Sequence, residues 1–215
     1  MNFCLKHEIE LPTPDVIGLP EVDANTLIEG ENINDRRLSL AISELEQTKD
    51  FILIDCPGSH TRLSQVAHSL ADTLITPMND SLIDLDLLAK MDPATGKVRE
   101  PSIYAQMVWS ARQLRASAGL APLDWVLLRN RLATIAANNR RRVGGALKDL
   151  SKRIGFRIVP GFSERVVFRE LYLQGLTLLD LNDAGTKLTI SNIAARQELR
   201  ELMRALNLPG GPLEI

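Results

Sequence analysis

The clearest fold signal in the sequence is Phe51-Ile52-Leu53-Ile54-Asp55-Cys56-Pro57-Gly58. Four consecutive apolar residues end in a carboxylate, and a Pro-Gly turn follows at once. A short apolar run bounded by turn residues is typical of a strand that is buried on both faces of a parallel sheet. Asp55 would then lie at the carboxyl end of the strand, where open α/β sheets bind their ligands. The alternative is an acid that only caps the turn after an ordinary core strand.

Apolar runs and helical patterns alternate along the rest of the chain. Three further strands are predicted, over 72–77, 123–128 and 156–159. Helices are predicted over 36–48, 61–70, 81–91, 102–118, 135–154, 163–174 and 189–206. This alternation predicts an α/β fold with a doubly wound, mostly parallel sheet and flanking helices. We expect one domain over 1–215, with a loop-rich lead-in at 1–50 and the body at 51–207.

Composition excludes several classes of protein. No run of the 215 residues approaches the roughly 20 apolar residues of a membrane span, and the start is unlike a signal peptide. Cys4 and Cys56 lack the spacing of a disulfide framework or a metal site. The three histidines are scattered, which disfavours a zinc site or a Ser-His-Asp triad. The sequence therefore predicts a cytoplasmic globular protein.

The net charge of −2 hides an uneven distribution. Residues 1–50 carry 4 basic and 11 acidic side chains, whereas residues 110–170 carry 13 basic and 4 acidic ones. Such asymmetry favours a polyanionic partner for the basic part, although a solvated helix face would give the same pattern.

Polar groups lie at the ends of three predicted strands: Asp55, Thr76-Pro77 with Asn79-Asp80, and Asn130. In a parallel sheet these positions share one edge and could line one site. A phosphate-binding loop of the form G-x-x-x-x-G-K-[ST] does not occur in the sequence, and Gly144-Gly145 falls within a predicted helix.

From about Phe51 to Asn207 the sequence closely resembles the MipZ family, division-plane positioning ATPases in the ParA/MinD group of deviant Walker A P-loop ATPases. The resemblance rests on the following residues: Phe51-Ile52-Leu53-Ile54-Asp55 with Pro57-Gly58, Thr76-Pro77-Met78-Asn79-Asp80-Ser81, Asp124-Trp125-Val126, Leu128-Arg129-Asn130-Arg131-Leu132-Ala133-Thr134, Gly155-Phe156-Arg157-Ile158, Arg169-Glu170-Leu171 and Gly175-Leu176-Thr177-Leu178-Leu179-Asp180-Leu181.

The resemblance implies a nucleotide site with ATP and Mg²⁺ as cofactors. Asp55 resembles the Walker B acid, which acts on Mg²⁺ through water, and Pro57-Gly58 resembles the switch whose glycine amide meets the γ-phosphate. Asn130 resembles the residue that contacts adenine, and Pro160 lies in the loop that closes over the base.

The resemblance also implies partners and a cellular location. Members form an ATP-dependent homodimer, associate with DNA and the nucleoid, contact ParB and inhibit FtsZ assembly. Candidates for the DNA face are Arg129, Arg131, Arg141, Lys148, Lys152, Arg196 and Arg200.

The sequence departs from the family pattern at its start, since the first strand, the Walker A loop and its helix have no counterpart in it. We therefore expect an N-terminally truncated member that binds no ATP or Mg²⁺ and does not hydrolyse ATP. One hypothesis is an incomplete representative of a working ATPase. A second is a degenerate, non-hydrolysing module that keeps the DNA and ParB surfaces. A third, weaker one is an unrelated α/β enzyme that uses Asp55 as acid or base.

Overall fold

The secondary structure alternates between helices and strands, as the sequence predicts. The computed structural model describes residues 11–19, 27–58, 60–81, 83–92, 98–132, 137–185 and 189–210. The described helices are α1 (Leu27–Leu45), α2 (Arg62–Leu70), α3 (Ile103–Ser117), α4 (Ala137–Ile154), α5 (Val166–Gln174) and α6 (Ile190–Ala205), with a 3₁₀ helix at Asp84–Leu87. The described strands are β1 (Thr73–Asn79), β2 (Ala89–Met91), β3 (Val98–Pro101), β4 (Asp124–Asn130) and β5 (Arg157–Val159).

The main sheet is parallel and has the strand order β1-β4-β5. Val126 of β4 lies opposite Arg157 of β5, and Leu128 lies opposite Val159. Four consecutive residues of β4, from Trp125 to Leu128, are buried, because both faces of this strand are covered. The prediction of an α/β fold with a parallel sheet and flanking helices is confirmed.

The prediction of a buried strand at Phe51–Asp55 is wrong. Residues 51–57 belong to no strand, and Leu53 is 90% exposed. Ile52 and Ile54 are half-buried while their neighbours Phe51, Leu53 and Asp55 are exposed, so only one side of the segment is covered. To form a strand that is buried on both faces, an apolar run needs a neighbouring strand to pair with and a covering layer on each face. The described strands of the main sheet pair with one another and not with this segment.

The chain divides into two compact units, and each contains separated stretches of sequence. The first unit comprises 1–13, 75–100 and 125–215, and the second comprises 14–74 and 101–124. The expectation of one domain over 1–215 stays a prediction.

Helices α1, α2 and α3 build the second unit. Thr61 and Ser102 cap α2 and α3, each accepting a hydrogen bond from a backbone N–H one turn on. Helix α1 begins at Leu27, earlier than the predicted helix, so the lead-in is less loop-rich than expected. Within α3, Met107 is buried, whereas Ile103 and Leu114 are exposed.

A buried arginine organises the end of α3. Arg115 is 3% exposed and donates hydrogen bonds to the backbone carbonyls of Ser69, Leu70 and Ala121. It also contacts the Asp72 carboxylate at 2.9 Å, but that side chain is 92% exposed. The carbonyl contacts therefore account for most of what Arg115 contributes to stability.

The first unit has its core around β4, β5 and the helices that follow them. Val143, Leu147 and Leu150 of α4 are fully buried, as the 3.6-residue period predicts. Helix α6 packs Leu202 and Leu206 against Val126, Leu128 and Val159 of the sheet. The predicted helix over 81–91 is wrong, because the segment contains the 3₁₀ helix and then β2, which pairs with β3. Within the described residues, no helix has the length and apolar character needed to cross a membrane.

Candidate functional site

The carboxyl end of β4 has an unusual backbone. The strand ends at Asn130, and the next residue, Arg131, has a φ of 52°. This left-handed conformation is uncommon for a residue other than glycine, asparagine or aspartate. The Arg131 backbone N–H donates to Asn130 Oδ1 at 2.9 Å, which fixes the Asn130 side chain at the sheet edge. Backbone strain of this kind concentrates at functional sites.

The segments that follow β4 and β5 continue side by side beyond the strands. The Phe162 N–H donates to the Arg129 carbonyl at 3.0 Å, and the Leu132 N–H donates to the Phe162 carbonyl at 2.9 Å. Leu132 and Ser163 form a parallel bridge, and the Glu164 N–H returns to the Leu132 carbonyl at 3.2 Å. The loop after β5 is therefore bonded to the end of β4 rather than only lying near it.

Gly161 is the position that permits this close approach. A Cβ atom at Gly161 would lie 2.0 Å from the Arg129 carbonyl oxygen, closer than any non-bonded contact allows. The constraint is space, since the backbone atoms of the two segments meet here.

An open pocket of about 370 Å³ lies at this edge, within the first unit. Its walls combine two aromatic rings, an amide, a hydroxyl and charged groups, from the residues Asn130, Arg131, Phe162, Ser163, Glu164, Arg165, Phe168 and Arg169. The rings of Phe162 and Phe168 meet edge to face, with centroids 5.7 Å apart. At the rim, Arg131 and Glu164 form an exposed ion pair with a separation of 3.3 Å. Apolar walls with a few fixed polar groups are typical of small-molecule sites.

Glu198 of α6 supports the loop from behind. Its carboxylate accepts hydrogen bonds from the Ser163 hydroxyl at 2.7 Å, the Ser163 N–H at 3.2 Å and the Arg165 guanidinium at 2.8 Å. Burial alone would raise the pKa of Glu198, but the hydrogen bonds from Arg165 and Ser163 outweigh burial and lower it. The same contact raises the pKa of Arg165, so both groups are charged at neutral pH.

The predicted base-binding residues both lie in the first unit, at the carboxyl ends of neighbouring strands. Asn130 lines the pocket. Pro160 follows β5 directly, is exposed, and precedes Gly161 without being one of the lining residues.

The predicted phosphate and metal side belongs to the second unit. Asp55, Pro57 and Gly58 are exposed and lie in the segment that forms no strand. Throughout the described ranges, no group of three or more His, Cys, Asp or Glu side chains is arranged to hold a metal ion. On this side of the predicted site, Asp55 supplies a single exposed carboxylate.

The predicted DNA candidates have different surroundings. Arg129 forms an ion pair with Asp80, and both side chains are largely buried. Arg129 therefore stabilises the end of β4 and contributes little charge to the surface. Arg196 is half-buried and contacts Asn182 Oδ1 at 3.3 Å, and Arg200 is also half-buried. The exposed candidates are Arg131, Arg141, Lys148 and Lys152.

Sequence reasoning missed most of the pocket. Phe162, Ser163 and Arg165 follow β5 at the same edge as Asn130, so the strand-end pattern could have identified them. Phe168 has the pattern of a core residue. Glu198 has the pattern of a solvated helix side, and no local signal in the sequence marks it.

Comparison with known proteins gives the family. A family model described as ATPase MipZ matches residues 1–210, nearly the whole chain. No curated protein matches the chain. The family is one of cell-division ATPases that use a nucleotide and Mg²⁺ in general. With the parallel sheet and the strand-end pocket described above, the match over residues 1–210 shows that the chain belongs to the MipZ family of ATPases.

Proposed function

We propose that this chain is a MipZ-type cell-division regulator and that its pocket holds the adenine base of a nucleotide. The observation that carries the proposal is the position of Asn130, fixed by the Arg131 N–H at the mouth of a pocket of about 370 Å³. An Asn amide offers a donor and an acceptor that match the edge of adenine. The Phe162 and Phe168 rings supply an apolar surface on which a base can stack.

The chain by itself is proposed to bind the base end of the nucleotide and not to hydrolyse ATP. Its sequence contains no glycine-rich phosphate loop with a lysine, the group that supplies most of the binding energy for the phosphates. Asp55 is proposed as the Walker B acid on the metal side, with Pro57 and Gly58 as the switch. Adenosine is therefore a better probe of this chain than ATP.

DNA association is proposed to use the exposed cations of α4. Arg141, Lys148 and Lys152 are exposed on this helix, whereas Val143 and Leu147 are fully buried. Lys and Arg contacts to phosphates give binding that weakens steeply with salt and has little sequence preference. Contacts with ParB and FtsZ, homodimer formation and association with the nucleoid are proposed from the family resemblance.

The test of the base site is a titration of the isotope-labelled chain with adenosine, followed by NMR. We expect shifts at Asn130 and Phe162, weaker binding of guanosine, and a loss of affinity of about tenfold or more in Asn130→Ala. Gln197→Ala is the control, since it removes an exposed amide from α6 in the same unit. Equal binding of adenosine by wild type and Asn130→Ala would refute the proposed site.

A second candidate function is a non-hydrolysing module that binds DNA or ParB. The specific observation in its favour is that α4 presents its cations while the Asp55 segment forms no strand. It requires the chain to bind DNA without any nucleotide. Absence of DNA binding at low salt would eliminate this candidate.

A further inference from the structure

We infer that Glu198 is a positioning residue for the base pocket, one that acts through Ser163 and Arg165 without lining the pocket itself. The inference rests on the proposed function of the pocket as a base site. It adds a residue that lies far from Asn130 in the sequence and that the family resemblance did not indicate.

The hydrogen bonds of Glu198 converge on the pocket wall. Ser163 and Arg165 both line the pocket, and Glu198 accepts two bonds from each of them. The side chains of Glu198 and Arg165 are 18% and 22% exposed, so water screens the pair less than it would a surface ion pair. Bonds to an ionised, partly buried carboxylate are stronger than neutral ones.

Helix α6 is a firm support for this carboxylate, because other contacts hold the helix in place. Leu202 and Leu206 pack against β4 and β5. The guanidinium of Arg157, on β5, donates to the carbonyls of Ala205 and Leu206 at the carboxyl end of the helix. Removing Glu198 should therefore leave α6 packed on the sheet. It should loosen only the loop after β5, which loses its side-chain support.

The freed loop would change the pocket directly. Ser163 bridges to Leu132, and Phe162 bonds to both Arg129 and Leu132, so the loop carries an aromatic wall of the site. Fixing a loop in its binding geometry raises affinity by lowering the entropy cost of binding. Glu198 thus contributes to base affinity without touching the base.

The test compares Glu198→Ala, Glu198→Gln and the control Glu201→Gln in the full chain. Glu201 is an exposed acid of the same helix whose carboxylate accepts from Gln197 at 3.1 Å. Two quantities are measured, hydrogen exchange of the Ser163 amide without ligand and the Kd for adenosine. Urea unfolding shows whether each variant is folded.

We expect Ser163 exchange to rise and the adenosine Kd to weaken, each about tenfold, in Glu198→Ala. Glu198→Gln, which keeps one acceptor oxygen, should fall between wild type and Glu198→Ala, and Glu201→Gln should match wild type. This graded rescue would not arise from a general loss of stability.

The failing outcomes are distinguishable. If wild type binds adenosine and Glu198→Ala binds it equally well, the positioning role is wrong and the base site stands. Unchanged Ser163 exchange in Glu198→Ala would also overturn the role. If wild type binds no adenosine, the proposed base site fails, and the positioning role fails with it.

Discussion

Replacing Gly161 by alanine should damage the base pocket more than any other single methyl addition that the described glycines offer. The new Cβ would lie 2.0 Å from the Arg129 carbonyl oxygen and 2.8 Å from its carbonyl carbon. Both are backbone atoms of β4, so no side chain can rotate to make room. The loop after β5 must move away from β4.

The cost follows from the contacts that this movement breaks. The Phe162 N–H to Arg129 carbonyl bond and the Leu132 N–H to Phe162 carbonyl bond join the two segments at this point. Each hydrogen bond contributes about 1 kcal/mol net to the free energy of unfolding. The steric overlap with the new methyl group lowers that free energy further, by about 1–3 kcal/mol. Gly161→Ala should therefore lower the free energy of unfolding by about 3–5 kcal/mol.

The assay is urea unfolding together with adenosine titration, and Gly145→Ala is the matched control. Gly145 lies on α4 with nothing within 4 Å of its added Cβ, so alanine there should stabilise the helix by about 1 kcal/mol. With a urea slope of about 2 kcal/mol per M, Gly161→Ala should lower the midpoint by about 1.5–2.5 M. It should also abolish most adenosine binding.

A Gly161→Ala chain with the midpoint and adenosine affinity of wild type would refute the reasoning. That result would mean that β4 and the loop after β5 are not bonded as described.

Three further predictions concern the second unit, the loop support and the basic helix. Arg115→Met should lower the free energy of unfolding by about 2–5 kcal/mol, because it removes the hydrogen bonds that the buried guanidinium donates to three backbone carbonyls. Asp72→Asn should change it by less than about 1 kcal/mol, and urea unfolding compares the two variants. The lowered pKa of Glu198 gives stability above its ordinary value of 4.5 that is lost as pH falls below that value, so the stability difference between wild type and Glu198→Gln should shrink in acid unfolding curves. Replacing Lys148 and Lys152 together by alanine should lower the slope of DNA affinity against salt by about two, and an unchanged slope would exclude both from the DNA face.

The apolar pattern of the sequence predicted several elements correctly. The apolar runs of β4 and β5 and the α4 stripe of Val143, Leu147 and Leu150 are placed correctly. Gly175 ends α5 with a φ of 70°, as its position in the sequence indicates. For β4 and β5 the pattern succeeded because the pairing strands and covering helix that it requires are present.

Pattern failed where a distant partner decides the outcome. Residues 89–91 have a helical pattern but pair with β3, because a segment this short takes the structure its neighbours impose. Arg129 looks like a surface cation in sequence, yet Asp80 binds it 49 residues away. Glu198 supports a loop 33 or 35 residues before it in the chain. No short-range pattern in the sequence marks any of these contacts.

The segment Phe51–Ile54 shows what an apolar pattern specifies. Its side chains alternate between half-buried and exposed in the described structure, although all four are apolar. A strand forms only where backbone groups find partners, and an apolar face is stable only where another layer covers it. The pattern therefore describes the environment that the segment requires, and the structure determines whether that environment is present. Asn130 differs because its site is assembled from β4, the loop after β5 and α5, all within one unit. The base side of the proposed nucleotide site can consequently be tested with this chain alone.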